Sequence, residues 1–293
     1  MSGEKRAIAL GFFDGVHRAH REVLSRARTF AAQQHMTAAA VTFDHHPAAV
    51  LAGETDKLVQ TLQDRVVALR RDGGMEEVIV LPFDAALRTM SWEDFAIHVL
   101  AEKLHAGFVA VGYDYRFGYR AEGDPEKLSR ILQPYGIPVS VVERIDDGEG
   151  EACGTRTLRK LIAEGDVLRA DELMGRPFSF TGEVIHGKGL GHTLGFPTMN
   201  VSLPQELVQP KPGVYVASVT IDEMVYPAVT NVWPEGLTES FVFFYSEDIY
   251  GKRIRVALLD YVRPMRRFES LEELTAQVIS DKNTASVWFK QRL

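Results

Sequence analysis

The sequence changes rhythm once, near Pro177, and that change limits the fold more than any other feature. Before it, short apolar runs at residues 7–10, 38–43, 78–81, 108–111 and 139–142 read as buried strands. Helical patterns lie between them at 20–35, 62–71 and 92–103, the last opened by a capping box of Ser91 and Asp94. Strand, helix, strand in this order predicts a parallel sheet covered on both faces. Two shorter helices follow at 156–163 and 167–174, the first ended by Gly165. After Pro177 the runs at 178–186, 214–221, 225–232, 240–244 and 254–261 are strand-like and punctuated by glycine and proline. That is the pattern of a small antiparallel β-barrel, here closed by a helix that Ser270 and Glu273 cap. The expected fold is an α/β parallel-sheet, Rossmann-like domain over residues 1–176, then a small antiparallel β-barrel domain over 177–293 with a C-terminal helix.

At 293 residues and 45% hydrophobic content the chain can bury two ordinary cores. Forty acidic against 33 basic residues give a formal charge of -7. Such a chain has no general attraction for a phosphate backbone or an anionic bilayer, so neither nucleic acid nor membrane is expected as a partner. The lone Cys153 cannot form an internal disulfide, which fits a reducing compartment. No apolar run approaches the ~18 residues needed to cross a bilayer. The first strand begins too early for a secretory h-region, and the chain reads as cytoplasmic.

Two stretches carry chemistry. After the first strand, Gly11-Phe12-Phe13-Asp14-Gly15-Val16-His17-Arg18-Ala19-His20 is a glycine-bearing turn that delivers two histidines to a helix N-terminus. Backbone N–H groups and the positive end of the helix dipole suit an anion there, and imidazoles can donate to a phosphate. Taken alone, His17 and His20 also read as ordinary surface residues. After the rhythm change, residues 187–195 are glycine-rich and lead into Phe196-Pro197-Thr198-Met199-Asn200. Glycines at 187, 189 and 191 permit a sharp path that aims N–H groups at phosphates, with Lys188 adding charge. The plain alternative is a flexible hairpin.

The first stretch resembles the GxFDGxHxGH signature of the nucleotidyltransferase superfamily, in the form found in bacterial FAD synthetases. The likeness continues in register through Thr42-Phe43-Asp44-His45-His46-Pro47 and through Gly112-Tyr113-Asp114-Tyr115-Arg116-Phe117-Gly118. It reaches Arg159, at the place of the arginine in the family's SSTxIR motif. The second stretch resembles the glycine-rich loop and GFPTAN motif of riboflavin kinases. Glu239-Ser240-Phe241, Asp248-Ile249-Tyr250-Gly251-Lys252 and the ending at 263–274 follow that family's order. The chain as a whole therefore resembles bacterial bifunctional riboflavin kinase/FMN adenylyltransferase, with the first domain a nucleotidyltransferase.

The resemblance implies phosphorylation of riboflavin to FMN and adenylylation of FMN to FAD, with ATP as co-substrate and Mg2+ as cofactor. It makes His17, His20 and Arg159 the groups on the ATP phosphates, and Asp14, Asp114, Arg116 and Phe117 part of the flavin and nucleotide site. It makes Glu239 the general base, Gly187, Lys188, Gly189 and Asn200 substrate-binding, and Thr198 and Asn200 the metal ligands. The chain departs from the family where Ala19 stands for glycine, Gly154-Thr155-Arg156 for Ser-Ser-Thr, and Phe241 for histidine. Two other readings stand beside the bifunctional one: a riboflavin kinase with a degenerate first domain, and a regulatory protein that binds flavin or nucleotide without catalysis.

Overall fold

The computed structural model describes residues 4–47, 57–148, 150–187 and 196–292. Two compact units divide the chain, one built from 1–56 and 62–155, the other from 57–61 and 156–293.

In the first unit five parallel strands form one sheet: β1 (Arg6–Leu10), β2 (Thr37–Phe43), β3 (Glu77–Leu81), β4 (Ala106–Gly112) and β5 (Val139–Val142), in the order β3-β2-β1-β4-β5. Successive side chains point to opposite faces, so each central strand serves two cores. One face presents Ile8, Leu10, Ala39, Val41, Val109 and Val111 to the helices on that side. The other is nearly all alanine, with Ala7, Ala9, Ala38, Ala40 and Ala110. Against these small residues the helix Arg18–Gln34 seats Val23, Leu24, Ala27 and Ala31. The helix expected over 92–103 begins as a single α turn, Trp92–Asp94, with the Ser91 side chain accepting from Asp94 N–H as the capping box predicts. It continues as a π-helix, Phe95–Lys103, and the wider winding shows in Leu104 N–H donating to the Val99 carbonyl five residues back. Two further helices, Ala85–Thr89 and Pro125–Leu132, were not expected from periodicity. Each is capped by an aspartate, Asp84 and Asp124.

In the second unit six strands close into an antiparallel barrel: β6 (Phe178–Ile185), β7 (Met199–Ser202), β8 (Gly213–Ile221), β9 (Met224–Val232), β10 (Leu237–Val242) and β11 (Arg253–Arg263), in the order β10-β7-β6-β11-β8-β9. The helices Thr155–Glu164 and Val167–Met174 precede them, so the chain enters this unit before the strand pattern starts at Phe178. β7, four residues long, is absent from the strands expected from sequence. The closing helix, Leu271–Lys290, lies on the outside of the barrel, where Ala285, Trp288 and Phe289 cover Val214, Val216 and Val229. Arg263 of β11 grips the buried Asp281 through two bonds of 2.9 and 2.7 Å, and Trp288 Nε1 donates to Asp260 at 2.8 Å. These contacts fix the helix rotation and so decide which of its side chains reach β10.

Candidate active sites

The strand order of the parallel sheet reverses between β1 and β4, and in such sheets ligands bind beyond the carboxyl ends of the strands at that switch. The two sequence motifs of the first unit leave from those two strand ends.

After β1 the backbone enters the left-handed region at Phe13 (φ 60°), Gly15 (φ 85°) and Val16 (φ 43°). A β-branched residue at positive φ is strained, and such strain concentrates at ligand sites. Thr42 Oγ1 donates to the Phe12 carbonyl at 2.8 Å and Thr155 Oγ1 to the Asp14 carbonyl at 3.0 Å, pinning the turn. Asp14 and His17 are buried. His17 caps the helix by accepting the His20 N–H on Nδ1 at 3.4 Å, and its ring stacks on that of His20 at 3.6 Å. His20 is half-buried as a residue, but its Nδ1 is enclosed and makes no hydrogen bond among the described residues. Burial, then Arg21, pushes His17 down to about 3. Burial, then His17 and Arg65, pushes His20 well below the usual imidazole range. The pair is therefore neutral at physiological pH at a helix N-terminus, and His17 is buried and His20 half-buried where the plain reading allowed ordinary surface residues.

The loop after β4 divides its predicted residues. Asp114 and Arg116 are exposed, and Arg116 Nη1 donates to the Tyr115 carbonyl at 2.9 Å. Phe117 instead lies in the core, stacked on Tyr115 at 5.7 Å, and it pairs with Gly123 through bonds of 3.2 and 2.9 Å. A Cβ on Gly123 would sit 2.8 Å from the Phe117 ring, so the glycine is needed for that contact. Arg159 is half-buried on the helix Thr155–Glu164, within the second unit, and Arg156 is exposed. Sequence reasoning passed over Arg65, which is fully buried with its guanidinium 3.9 Å from the Phe12 ring centre.

In the barrel, register brings the kinase-like residues together. Glu239 of β10 lies directly opposite Asn200 of β7 and, on its other side, Asn231 of β9. Directly opposed residues of antiparallel strands share a face, with Cβ atoms about 4.5–5.5 Å apart. Asn231 was not singled out from sequence, because only the strand order shows that it flanks Glu239. Gly187 lies flush against the Asn200 side chain, leaving no room for a Cβ. Asn200 is buried, and its Oδ1 has no hydrogen-bond donor among the described residues. Thr198 is half-buried two residues before it. An oxygen acceptor without a donor, two residues along the chain from a threonine hydroxyl, is of the ligand type that suits a small hard cation. Lys188 and Gly189 lie outside the described residues.

Next to Glu239 on the same face of β10, Phe241 packs edge-on to Phe196 at 6.2 Å. Lys282 of the closing helix places its ammonium 4.0 Å from the Phe241 ring centre and 4.7 Å from that of Phe196, and burial lowers its pKa. An aromatic wall along β10 from Glu239, with the Lys282 ammonium over its rings, is a feature no sequence motif announced.

The chain matches two family models in succession, FAD synthetase over residues 1–156 and riboflavin kinase over residues 174–289. It is 32% identical over 292 residues to the bifunctional riboflavin kinase/FMN adenylyltransferase of Escherichia coli, covering 96% of this chain and 92% of that protein. The protein of the same name from Bacillus subtilis is 29% identical, with 97% and 93% covered. Among solved structures it resembles one from Streptococcus pneumoniae described as a macrolide-efflux protein, at 28% identity and a TM-score of 0.86 over 98% of this chain and 95% of that one. Among the described residues of the present chain no helix is long and apolar enough to cross a membrane. Two motif sets in register, a sheet whose switch point receives the first and a barrel whose register assembles the second, agree with these likenesses over nearly the whole length: the chain belongs to the FAD synthetase family, in the bifunctional form that carries a riboflavin kinase barrel behind the adenylyltransferase fold.

Proposed function

We propose that this protein phosphorylates riboflavin to FMN on the barrel and adenylylates FMN to FAD on the parallel-sheet domain, using ATP for both in the cytoplasm. The kinase half rests on one observation above the others, the placement of Glu239 opposite Asn200 in the barrel register. A primary alcohol is a poor nucleophile until a base takes its proton, and Glu239 serves the ribityl hydroxyl as that base. Asn200 and Thr198 would hold magnesium, Gly187 would approach the ATP phosphates, and the resemblance assigns Lys188 and Gly189 to the same phosphates. When bound, magnesium neutralises charge on the phosphate oxygens.

The adenylyl half needs no such base, because the FMN phosphate is already an anion. The work at the switch point is orientation and charge stabilisation. The neutral rings of His17 and His20 donate to the α-phosphate and the departing pyrophosphate at the end of the helix dipole. Asp14, Asp114 and Arg116 border the nucleotide and flavin, Phe117 supports their loop from the core, and Arg159 contacts ATP phosphate as the resemblance implies.

The experiment is direct: purified protein is incubated with riboflavin, ATP and magnesium, and the flavins are separated. FMN followed by FAD supports both activities. FMN alone leaves a kinase with a degenerate first domain, and neither product favours a flavin-binding regulator.

A further inference from the structure

Arg65 lies in the second turn of the helix Leu62–Arg71 and exposes none of its surface, whereas Arg70 and Arg71 on the same helix are exposed. Arginine is almost never fully buried unless something compensates its charge. Here a guanidinium with five N–H donors makes one described hydrogen bond, from Nη2 to the Phe43 carbonyl. Its Nε and Nη1 have no acceptor among the described residues. The flat face covers the Phe12 ring at 3.9 Å, and the carboxylates of Asp14 and Asp44 supply the attraction that keeps the group charged. An arginine so incompletely satisfied is a poor device for stability alone, since an apolar side chain of similar length would fill the space without stranded donors.

Its neighbours say what the charge is for. Phe12 and Asp14 belong to the turn after β1, and Phe43 and Asp44 end β2. The guanidinium therefore ties together the carboxyl ends of two adjacent strands, under the turn that carries His17 and His20. We infer that Arg65 is a positioning residue for adenylyl transfer: it locks the phosphate-binding turn against the end of β2 and supplies a fixed positive charge beneath the histidine pair. The inference rests on the reading of that pair as the adenylyl-transfer site.

Burial lowers Arg65 only to about 10, so it is cationic at neutral pH. The groups facing His20 are His17 on its own helix and Arg65 on the helix across the turn. Arg21 acts on His17, Asp14 and Asp44 act on Arg65, and His45 faces Asp44. In a chain of net charge -7, a cation fixed below the phosphate turn opposes the general repulsion of a polyphosphate.

The test uses the full chain carrying Arg65→Met or Arg65→Lys, with His20→Asn alongside. FAD formation from FMN is read as kcat and as KM for ATP, FMN formation from riboflavin serves as the internal control, and the His20 imidazole is titrated by NMR. The methionine variant is expected to lower kcat/KM for FAD formation about 10- to 100-fold and to let His20 titrate at higher pH, with FMN formation unchanged. Lysine is expected to recover most of the rate and the low His20 titration. Equal losses in both variants with an unmoved His20 titration would mean a packing role only and overturn the inference, as would full activity in Arg65→Met. Arg65→Gln, neutral and polar, gives the same comparison where methionine prevents folding. If neither neutral variant folds while lysine does, the charge serves stability and the inference falls. Undiminished FAD formation by His20→Asn would instead overturn the histidine site itself, whatever Arg65 does.

Discussion

Replacing His17 by glutamine should reverse the stability order of parent and variant between neutral and acid pH. His17 is 4% exposed and is held at about 3 against an ordinary 6.5, chiefly by burial. Its folded pKa is depressed, so between those values the unfolded chain binds the proton and the folded chain does not. The neutral ring's contribution is thus complete above pH 6.5 and is lost as pH falls towards 3. At pH 4.5, two pH units below the ordinary value, the accumulated loss is about 3 kcal/mol, at about 1.36 kcal/mol per unit. Glutamine does not titrate and escapes that penalty, but it weakens the helix cap that His17 Nδ1 provides to His20 N–H, at a cost of about 1 kcal/mol. The variant should therefore be less stable by about 1 kcal/mol at pH 7.5 and more stable by about 2 kcal/mol at pH 4.5. Two units that unfold separately would blur one global transition. Trp92 is the tryptophan of the first unit and Trp233 and Trp288 belong to the second. Urea unfolding followed by Trp92 fluorescence in a Trp233→Phe, Trp288→Phe background isolates the unit concerned, and acid-titrating groups other than His20, which His17 itself pushes down, cancel in the difference. A parent-minus-variant stability that stays constant from pH 7.5 to 4.5 would show that His17 titrates normally and refute the buried neutral pair.

Three further outcomes are expected. Glu239→Gln should lower FMN formation by at least about 100-fold with little change in thermal stability, since it removes the proton acceptor and little volume; undiminished turnover would remove Glu239 as the base. Thr198→Ala should raise the magnesium concentration for half-maximal FMN formation several-fold, and an unchanged requirement would take the hydroxyl out of the metal site. Ala19→Gly, on the first turn beside the histidine pair, should improve ATP use in FAD formation and leave FMN formation unaltered; identical kinetics in parent and variant would show that the methyl group obstructs nothing.

What could be read in the sequence and what could not divide along a physical line. The parallel sheet was legible because buried strands flanked by helices leave runs such as 38–43 that no exposed segment would carry, and the barrel because its strands lack such helices. β7 escaped because four residues behind a glycine-rich run have too few periods to register as a strand, yet Asn200 on it faces Glu239. At Gly187 the backbone explains the residue type, because the missing Cβ lets Asn200 close in. Elsewhere a motif residue has two possible environments that spacing does not separate. Phe117 sits inside the loop motif but packs as core, whereas Asp114 and Arg116 of the same loop are exposed.

Arg65 takes its character from contacts that its own helix does not make. In sequence it is one of three arginines on an amphipathic helix, and nothing in the spacing separates it from Arg70 and Arg71. Its distinction arises only from the pairing of β1 with β2, which brings Phe12 and Phe43 to the same strand ends and encloses whatever the neighbouring helix puts there. Local patterns record which way a residue faces along its own element. The charge a site feels is set by residues that other elements deliver from far along the chain, so a sequence motif can locate the phosphate turn while leaving out the cation beneath it.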